Sequence, residues 1–251
     1  MTRLIKDTLS LFDPISLAEM EDYRLLNRID TKFICHVQQL QQILSLASTD
    51  FKIQTSGGNR IFGYESLYFD TPDMKNYFDH HQGKRIRYKI RFRKYLDSGD
   101  VFLEIKKKKN DIRTDKKRKE FDFCTSLNNQ HIDFLNNYIE VPKSGFTPAI
   151  YTNFNRITLT GKNRCERITI DTGIHFKNNF NQINLPYLSI IEVKCNKAEG
   201  ISAFTKILKD SRVCPLGISK YILGNILLTP RIKHNRFLYK INTINKICYA
   251  T

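Results

Sequence analysis

The sequence of 251 residues lacks the features that would place it at once in several common classes. None of its six cysteines lies in a Cys-x-x-Cys pair and no histidine cluster accompanies them, so we predict neither a zinc site nor a disulfide framework. No window approaches the ~20 apolar residues of a membrane-spanning helix, and the charged segment 1–12 is a poor signal peptide. We therefore expect a cytoplasmic protein that meets a membrane only through a partner.

Acidic residues are also scarce. The chain has 25 Asp and Glu against 41 Lys and Arg, which gives a formal net charge of +16. Such a surplus predicts a polyanionic partner, which could be nucleic acid, an anionic membrane, or a phosphorylated small molecule or polymer. No internal repeat, low-complexity tract or obvious linker divides the chain, so we predict one domain over residues 1–251.

The spacing of apolar residues predicts an α+β fold. Alternation predicts strands over 61–70, 84–95, 101–108, 112–123, 149–160, 164–172 and 186–196. Helical spacing and capping signals predict helices over 36–48, 71–81, 126–139, 198–209 and 219–228. Seven or eight antiparallel strands are compatible with a closed barrel, and we predict an eight-stranded antiparallel barrel with flanking helices.

One predicted strand, between residues 84 and 94, has a wholly cationic face. Successive strand side chains point in opposite directions, so one face carries Arg85, Arg87, Lys89, Arg91 and Arg93, and the other Ile86, Tyr88, Ile90 and Phe92. Cations spaced about 7 Å apart repel one another, and solvated faces usually mix charges of both signs. This favours an anion-binding site, with an ordinary solvated face as the alternative.

Other strands repeat this division into an apolar and a charged side. The charged sides carry Glu104, Lys106, Arg156, Arg167, Glu192 and Lys194. Closure with the apolar sides inward would leave the cations on the surface, whereas closure with the charged sides inward would form a cationic tunnel. Amphipathic helices at 36–48, 126–139 and 198–209 can cover an apolar exterior, so we predict the tunnel. Glu104 and Glu192 are either ion-pair partners of the cations or ligands of Mg²⁺ or Mn²⁺ that phosphates would co-ligate.

Six short segments carry a resemblance to a known family. They are Ser66-Leu67-Tyr68-Phe69-Asp70-Thr71, Ile90-Arg91-Phe92-Arg93, Phe102-Leu103-Glu104-Ile105-Lys106, Arg167-Ile168-Thr169-Ile170-Asp171, Ile191-Glu192-Val193-Lys194 and Ser219-Lys220-Tyr221. In this order they resemble the vacuolar transporter chaperone (VTC) catalytic domain and its bacterial polyphosphate polymerase relatives, which are triphosphate tunnel metalloenzymes of the CYTH-like superfamily. The resemblance covers about residues 22–228 and leaves a basic tail at 231–251.

This resemblance implies an antiparallel tunnel that makes polyphosphate from ATP with a divalent metal, Mn²⁺ or Mg²⁺. We assign catalytic phosphate contacts to Arg91, Arg93, Lys106, Lys194 and Lys220, and metal binding to Glu192 and Glu104. We assign further substrate contacts to Arg28, Lys32, Tyr68, Arg87, Lys89, Arg118, Arg156, Arg167 and Ser219. Hydrolytic tunnel enzymes usually carry Glu-x-Glu-x-Lys where this chain has Arg28-x-Asp30-x-Lys32, which favours the polymerase branch.

Two rival functions stay open from the sequence. One is hydrolysis of tripolyphosphate or a nucleoside triphosphate on the same barrel, and the other is non-catalytic binding of polyphosphate or RNA. The lysine-rich runs 106–109 and 116–119 suit a nucleic-acid patch or a tunnel mouth equally well. For His80 and His81 we predict the surface end of a helix, and for the tail a solvated helix or a partner site.

Overall fold

The computed structural model describes residues 3–20, 28–108 and 114–249. The strands are β1 (Asp13–Ile15), β2 (Arg28–His36), β3 (Phe51–Gln54), β4 (Phe62–Asp70), β5 (Arg87–Tyr95), β6 (Val101–Lys108), β7 (Thr114–Glu120), β8 (Thr147–Gly161), β9 (Glu166–Lys177), β10 (Gln182–Leu185) and β11 (Leu188–Asn196). The helices are α1 (Arg3–Leu9), α2 (Val37–Ala47), α3 (Lys75–Gln82), α4 (Asn129–Asn136), α5 (Ala203–Asp210), α6 (Lys220–Leu228) and α7 (Leu238–Tyr249).

Eight strands form one antiparallel path in the order β2-β11-β9-β8-β4-β5-β6-β7. Short strands are added beside it, since β3 pairs with β8, β1 runs parallel to β3, and β10 pairs with β9. The predicted α+β class, with a large antiparallel sheet and flanking helices, is confirmed.

The predicted closure of the barrel is not observed in the described part of the chain, where β7 and β2 end the path without pairing to each other. β7 carries four basic residues in succession at 116–119. Lysine-rich edge strands are a common means of discouraging further strand pairing, which gives a physical reason for the open edge.

The apolar sides of the strands face outward under helices, as predicted. α2 and α5 cover Ile157, Ile168 and Ile191 on one stretch of the sheet. α4 covers a second stretch that includes Phe92 and Leu103. Because these outer faces are buried under helices, the opposite, charged faces of the same strands are left to line the concave side.

α3 begins later than predicted from Pro72. The helix starts at Lys75, because the buried carboxylate of Asp70 accepts hydrogen bonds from the backbone N–H groups of Thr71, Asn76 and Tyr77 and so caps the first turn from outside. Its predicted end is confirmed, since Gly83 takes a φ of 75° and closes the helix through its backbone N–H.

Candidate functional site

A cavity of about 470 Å³ lies on the concave side of the sheet. Its charged lining consists of Lys32, Arg87, Lys89, Arg91, Arg93, Lys106, Arg156, Lys220 and Lys240, with Asp30, Asp171 and Glu192. Tyr68, His80 and Ser219 also line it. The structure therefore brings together most of the site residues predicted from the sequence. The choice of the charged sides as the inner sides is confirmed.

One side of this cavity, which we call the arginine wall, is built by β5 and β6 and carries Arg87, Lys89, Arg91, Arg93 and Lys106. The strand register sets Lys89 directly opposite Lys106, and Arg91 opposite Glu104. Cations therefore run along both strands of the wall, as strand alternation predicts.

Arg91 is held by two acceptors. Its Nε and Nη2 donate to Glu104 Oε2 at 2.9 and 2.6 Å, and its Nη1 donates to the Tyr68 hydroxyl at 2.7 Å. Glu104 also pairs with Lys116 at 2.5 Å. Burial would raise the pKa of Glu104, but Arg91, Arg93 and Lys116 together hold it far below its usual range. The carboxylate is thus a fixed anion that orients Arg91.

Arg93 has no such carboxylate within ion-pairing distance among the described residues. Its Nε lies 3.4 Å from Ser66 Oγ, and its guanidinium lies 5.4 Å from the ring centre of Tyr64 and 5.9 Å from that of Phe154. The side chain is 8% exposed. Burial, followed by repulsion from Arg91, lowers the pKa of Arg93 to about 10. It stays charged at neutral pH, and no Asp or Glu in the described ranges forms an ion pair with it.

The opposite side, which we call the carboxylate wall, is built by β8, β9, β11 and β2. Asp171 on β9 accepts from Arg156 Nε at 2.6 Å and Nη2 at 2.8 Å, and it also pairs with Lys220 at the start of α6. Burial opposes ionisation of Asp171, yet the two cations hold its pKa far below the usual value.

Glu192 repeats this arrangement on β11. One carboxylate oxygen pairs with Lys32 and the other with Lys194, the latter at 2.6 Å. These cations outweigh the effect of burial and keep the pKa of Glu192 well below its ordinary range. Each carboxylate therefore bridges two cations, which holds the cationic side chains in place before any ligand arrives.

Three predicted contacts lie away from the cavity, and a fourth is not described by the structure. Lys194 pairs with Glu192 but does not line the cavity. Arg118 is exposed, with its guanidinium 4.6 Å from the Phe102 ring centre. Arg167 Nη2 donates to the backbone oxygen of Met20 at 2.8 Å. The side chain of Arg28 lies outside the described part of the chain.

The sequence analysis missed several cavity residues. The sequence places Asp171 only at the end of the motif that begins at Arg167, and its role becomes visible only when β8, β9 and α6 meet. His80, predicted at a surface helix end, lines the cavity instead, and burial together with Lys89 and Arg87 lowers its pKa to about 3. The reason is that the C-terminal segment packs over α3: Phe237 lies 6.0 Å from the His80 ring.

The tail predicted at 231–251 thus supplies one end of the cavity. Phe237, Lys240, Ile241 and Ile244 line it, together with apolar side chains of α6. Lys240 donates a hydrogen bond to the backbone oxygen of Gly217, which ties α7 to the segment before α6. The cavity therefore has a cationic part along β5 and an apolar end under α6 and α7.

The donor set bears on metal binding. In the described ranges no group of three or more His, Cys, Asp or Glu side chains could hold a metal ion. Glu104 is 2% exposed and does not line the cavity, so its geometry is that of an anchor between Arg91 and Lys116. Both oxygens of Glu192 are ion-paired as well, to Lys32 and Lys194. Glu192 lines the cavity, and Asp30 lies diagonal to it across the β2–β11 pair. One or two carboxylates suffice for Mg²⁺ when phosphate oxygens complete the coordination, so this pair fits a metal that arrives with a phosphorylated ligand.

Comparisons with known proteins bear on the family and the fold. The VTC domain family matches residues 27–229. No curated protein sequence matches the chain significantly. A candidate adenylyl cyclase from Hippeastrum, described as having a dominant triphosphatase activity, superposes with a TM-score of 0.53 at 15% identity over 82% of this chain and 99% of that chain. A candidate adenylate cyclase from Bacillus halodurans has a TM-score of 0.53 at 12% identity over 79% and 98%. At these identities the two structures show a shared fold.

None of the helices in the described ranges is both long and apolar enough to cross a membrane.

Proposed function

This chain belongs to the VTC domain family, and on that premise we propose that it is a polyphosphate polymerase, which transfers the γ-phosphate of ATP to a growing polyphosphate chain. The family match and the shared fold support an activity on triphosphate or polyphosphate. The observation that carries the proposal is the cavity itself, in which nine Lys and Arg side chains face three Asp and Glu side chains. A linear polyanion is the ligand that such a lining neutralises.

The proposed chemistry asks mainly for positioning and for neutralisation of charge on the transferred phosphoryl group. Arg91 and Arg93 would clamp the reacting phosphates from the arginine wall, with Lys106 beside them. Arg156 and Lys220 would do so from the carboxylate wall. Because Glu104 and Asp171 already hold Arg91 and Arg156 in place, little reorganisation would be needed when the phosphates bind.

The state of the carboxylates supports the proposal that the phosphoryl group is transferred to a phosphate rather than to water. A general base works best when its pKa lies near the working pH. The pKa values of Glu104, Asp171 and Glu192 all lie far below that, because each carboxylate bridges two cations. The terminal phosphate of a polyphosphate chain is already an anion and needs no strong base, so the site suits it as the acceptor.

A divalent metal, Mn²⁺ or Mg²⁺, fits the site as a companion of the phosphates. Glu192, with Asp30 beside it, would hold the ion, and the ion would neutralise charge on the phosphate oxygens. Lys32 and Lys194 fix the carboxylate of Glu192 in the position from which it would act.

The experiment that tests this proposal uses the purified chain with ATP and Mn²⁺. Polymerisation yields ADP together with long phosphate chains, which gel electrophoresis resolves. The second candidate, a triphosphatase of the kind described for the Hippeastrum protein of the same fold, would yield free phosphate and no polymer. Tight, salt-sensitive polyphosphate binding without turnover would identify a non-catalytic binder and contradict both enzymatic proposals.

A further inference from the structure

The apolar end of the cavity has no role in the phosphate chemistry proposed above. Its side chains come from α6, from the segment before α6 and from the tail, namely Ile218, Ile222, Leu223, Ile226, Phe237 and Ile241. Ile218, Phe237 and Ile241 are only half-buried although they line the cavity. Apolar surface of this kind gains free energy when a ligand removes it from water, which a hydrated phosphate chain does not do.

The apolar end adjoins the cationic part of the cavity at Lys89. The Lys89 ammonium donates a hydrogen bond to Ser219 Oγ at 2.8 Å, and Ser219 directly follows Ile218 in the chain. On the other side of Ile218, the backbone oxygen of Gly217 accepts a hydrogen bond from Lys240 on α7. Three consecutive residues therefore connect the arginine wall, the apolar end and α7.

Aromatic rings form part of the apolar end. The rings of Phe237 and His80 lie 6.0 Å apart at an angle of 48°, and both side chains line the cavity and are only half-buried. Stacking of a nucleobase on an aromatic side chain typically raises affinity about five- to hundredfold. Phe237 and Ile241 lie beyond residues 27–229, which match the VTC domain family, so the tail of this chain supplies this part of the cavity.

The direction of β5 relates the apolar end to the catalytic cations. Lys89, which contacts the segment carrying the apolar end, shares one strand face with Arg91 and Arg93. Arg93 lies four residues beyond Lys89, which is about 13 Å along an extended strand. A ligand with one end in the apolar part can therefore extend its other end along a row of cations.

We infer that the apolar end binds the nucleobase of ATP, so that the triphosphate runs along the arginine wall and presents its γ-phosphate to Arg91 and Arg93. The inference rests on the proposed function, because it takes ATP as the phosphoryl donor. A triphosphate ester of a flat aromatic group is the class of ligand that uses both parts of the cavity. The cations neutralise its phosphates, and the apolar end removes its base from water. The volume of about 470 Å³ lies within the range of small-molecule sites.

The test compares two triphosphate esters, ATP and methyl triphosphate, in calorimetric titrations of the full chain without added divalent metal. Both ligands carry the same esterified triphosphate, and only ATP has a base. We expect the wild type to bind ATP about tenfold more tightly than methyl triphosphate. In the double variant Phe237→Ala, Ile241→Ala the two affinities should agree within about twofold, while the affinity for methyl triphosphate stays at the wild-type value and shows that the phosphate site is folded.

Tyr239→Ala is the matched control. Tyr239 is an aromatic residue on α7 between the two substituted positions, but it is 76% exposed and does not line the cavity. Its removal should keep the wild-type ratio of the two affinities. Equal losses of this ratio in Tyr239→Ala and in the double variant would contradict the inference, because they would show a general effect on α7.

Photoaffinity labelling locates the base directly. The wild-type chain is irradiated with 8-azidoadenosine triphosphate, and the labelled peptide is identified by mass spectrometry. We expect the label within residues 217–226 or 237–244, and we expect excess ATP to prevent it. A label that excess ATP prevents but that lies near Tyr64 or Phe154, beside Arg93, would overturn the inferred direction of the nucleotide.

The outcomes separate this inference from the function on which it rests. Equal affinity of the wild type for ATP and methyl triphosphate overturns the inference and leaves the proposed function intact. An unchanged ratio in the double variant overturns it as well. The wild-type comparison and the labelling need no variant to fold. Failure of the wild type to bind either ester would instead contradict the proposed function itself, and the inference with it.

Discussion

The two walls of the cavity differ in how they carry their charge. On the carboxylate wall Asp171 and Glu192 each join two cations, so the wall is largely neutralised before a ligand binds. On the arginine wall only Arg91 shares such a carboxylate among the described residues, and Lys89, Arg93 and Lys106 have no acidic partner there. The first wall is stabilised by its own ion pairs, whereas the second remains an unneutralised surface for anions.

This difference implies that the charged residues of the carboxylate wall mainly stabilise the folded protein, whereas those of the arginine wall mainly bind the ligand. Breaking a buried ion pair by removing one partner is strongly destabilising, because a charge is left uncompensated. Removing a cation that has no partner relieves repulsion in the empty protein instead. The two walls should therefore respond in opposite ways to substitution.

Arg93→Ala should show the largest effect on activity. Arg93 forms no ion pair with an acidic residue in the part of the chain that the structure describes, so its loss should leave the free energy of unfolding unchanged or slightly higher. Loss of one donor to a transition-state anion typically lowers the rate about 10²–10³-fold, and this is the decrease we expect in ADP formation from ATP. Lys94→Ala, on the outer face of the same strand, is the control and should keep full activity. A variant of Arg93 with a normal rate would remove the arginine wall from the proposed chemistry.

Asp171→Asn should break the carboxylate wall. Arg156 and Lys220 would lose their shared counterion, and we expect about 3 kcal/mol less stability in urea unfolding at pH 7. Because the folded pKa of Asp171 is lowered, this stability is present above the unfolded pKa of about 3.9 and is lost as the pH falls through the folded value. The difference between the two proteins should therefore shrink below about pH 4.

The control for this substitution is Asp13→Asn, which removes an exposed partner of Lys162 and should leave the unfolding midpoint unchanged. Tripolyphosphate should restore the stability of Asp171→Asn more than it raises that of the wild type, since the anion replaces the missing carboxylate. Equal shifts in both proteins would mean that the two walls do not share one ligand.

Glu192→Gln should separate binding from activity. Loss of a carboxylate near the phosphates leaves tripolyphosphate binding unchanged or tighter, whereas we expect ATP-dependent synthesis to fall about 10–100-fold and to need more Mn²⁺. Rates measured across a Mn²⁺ series provide the comparison. Full synthesis at the wild-type Mn²⁺ requirement would show that the metal assignment is wrong.

Tyr68→Phe should have a smaller effect at the junction of the two walls. Burial opposes ionisation of Tyr68, but Arg91, Arg93 and Lys220 outweigh it and lower its pKa. The variant loses the acceptor for Arg91 Nη1, which is worth about 1 kcal/mol. We therefore expect about a fivefold decrease in the rate, and a decrease beyond a hundredfold would give the hydroxyl a direct chemical role.

Lys240→Met should have the smallest effect, because Lys240 lies at the apolar end of the cavity. Removal of one partly screened cation is worth about 0.5 kcal/mol, so the affinity for tripolyphosphate should weaken about two- to threefold by calorimetric titration. Lys246→Met, an exposed position on the same helix, should leave the affinity unchanged. Equal losses at both positions would indicate a general effect of net charge.

The sequence alone predicted the cationic strand correctly, because side-chain alternation is a local property of an extended backbone. Arg87, Lys89, Arg91 and Arg93 had to share a face once the strand formed, and the amphipathic helices indicated that the opposite faces would be covered. The order of the six motifs predicted the family, which is confirmed. The later start of α3 was missed because it depends on the carboxylate of Asp70, which caps the first turn of the helix. Helix propensities of the local sequence do not indicate such a contact.

The pairing of charges could not be read from the sequence. Asp171 is separated by 15 residues from Arg156 and by 49 from Lys220, and Lys32 is separated by 160 residues from Glu192. Likewise, the placement of His80 beside the cavity depends on the tail packing over α3. The sequence determined which residues carry positive charge and which strand face they share, because both are local properties. Which cations receive a carboxylate was decided only by the tertiary structure, because an ion pair depends on distances that the chain acquires when distant strands and helices come together.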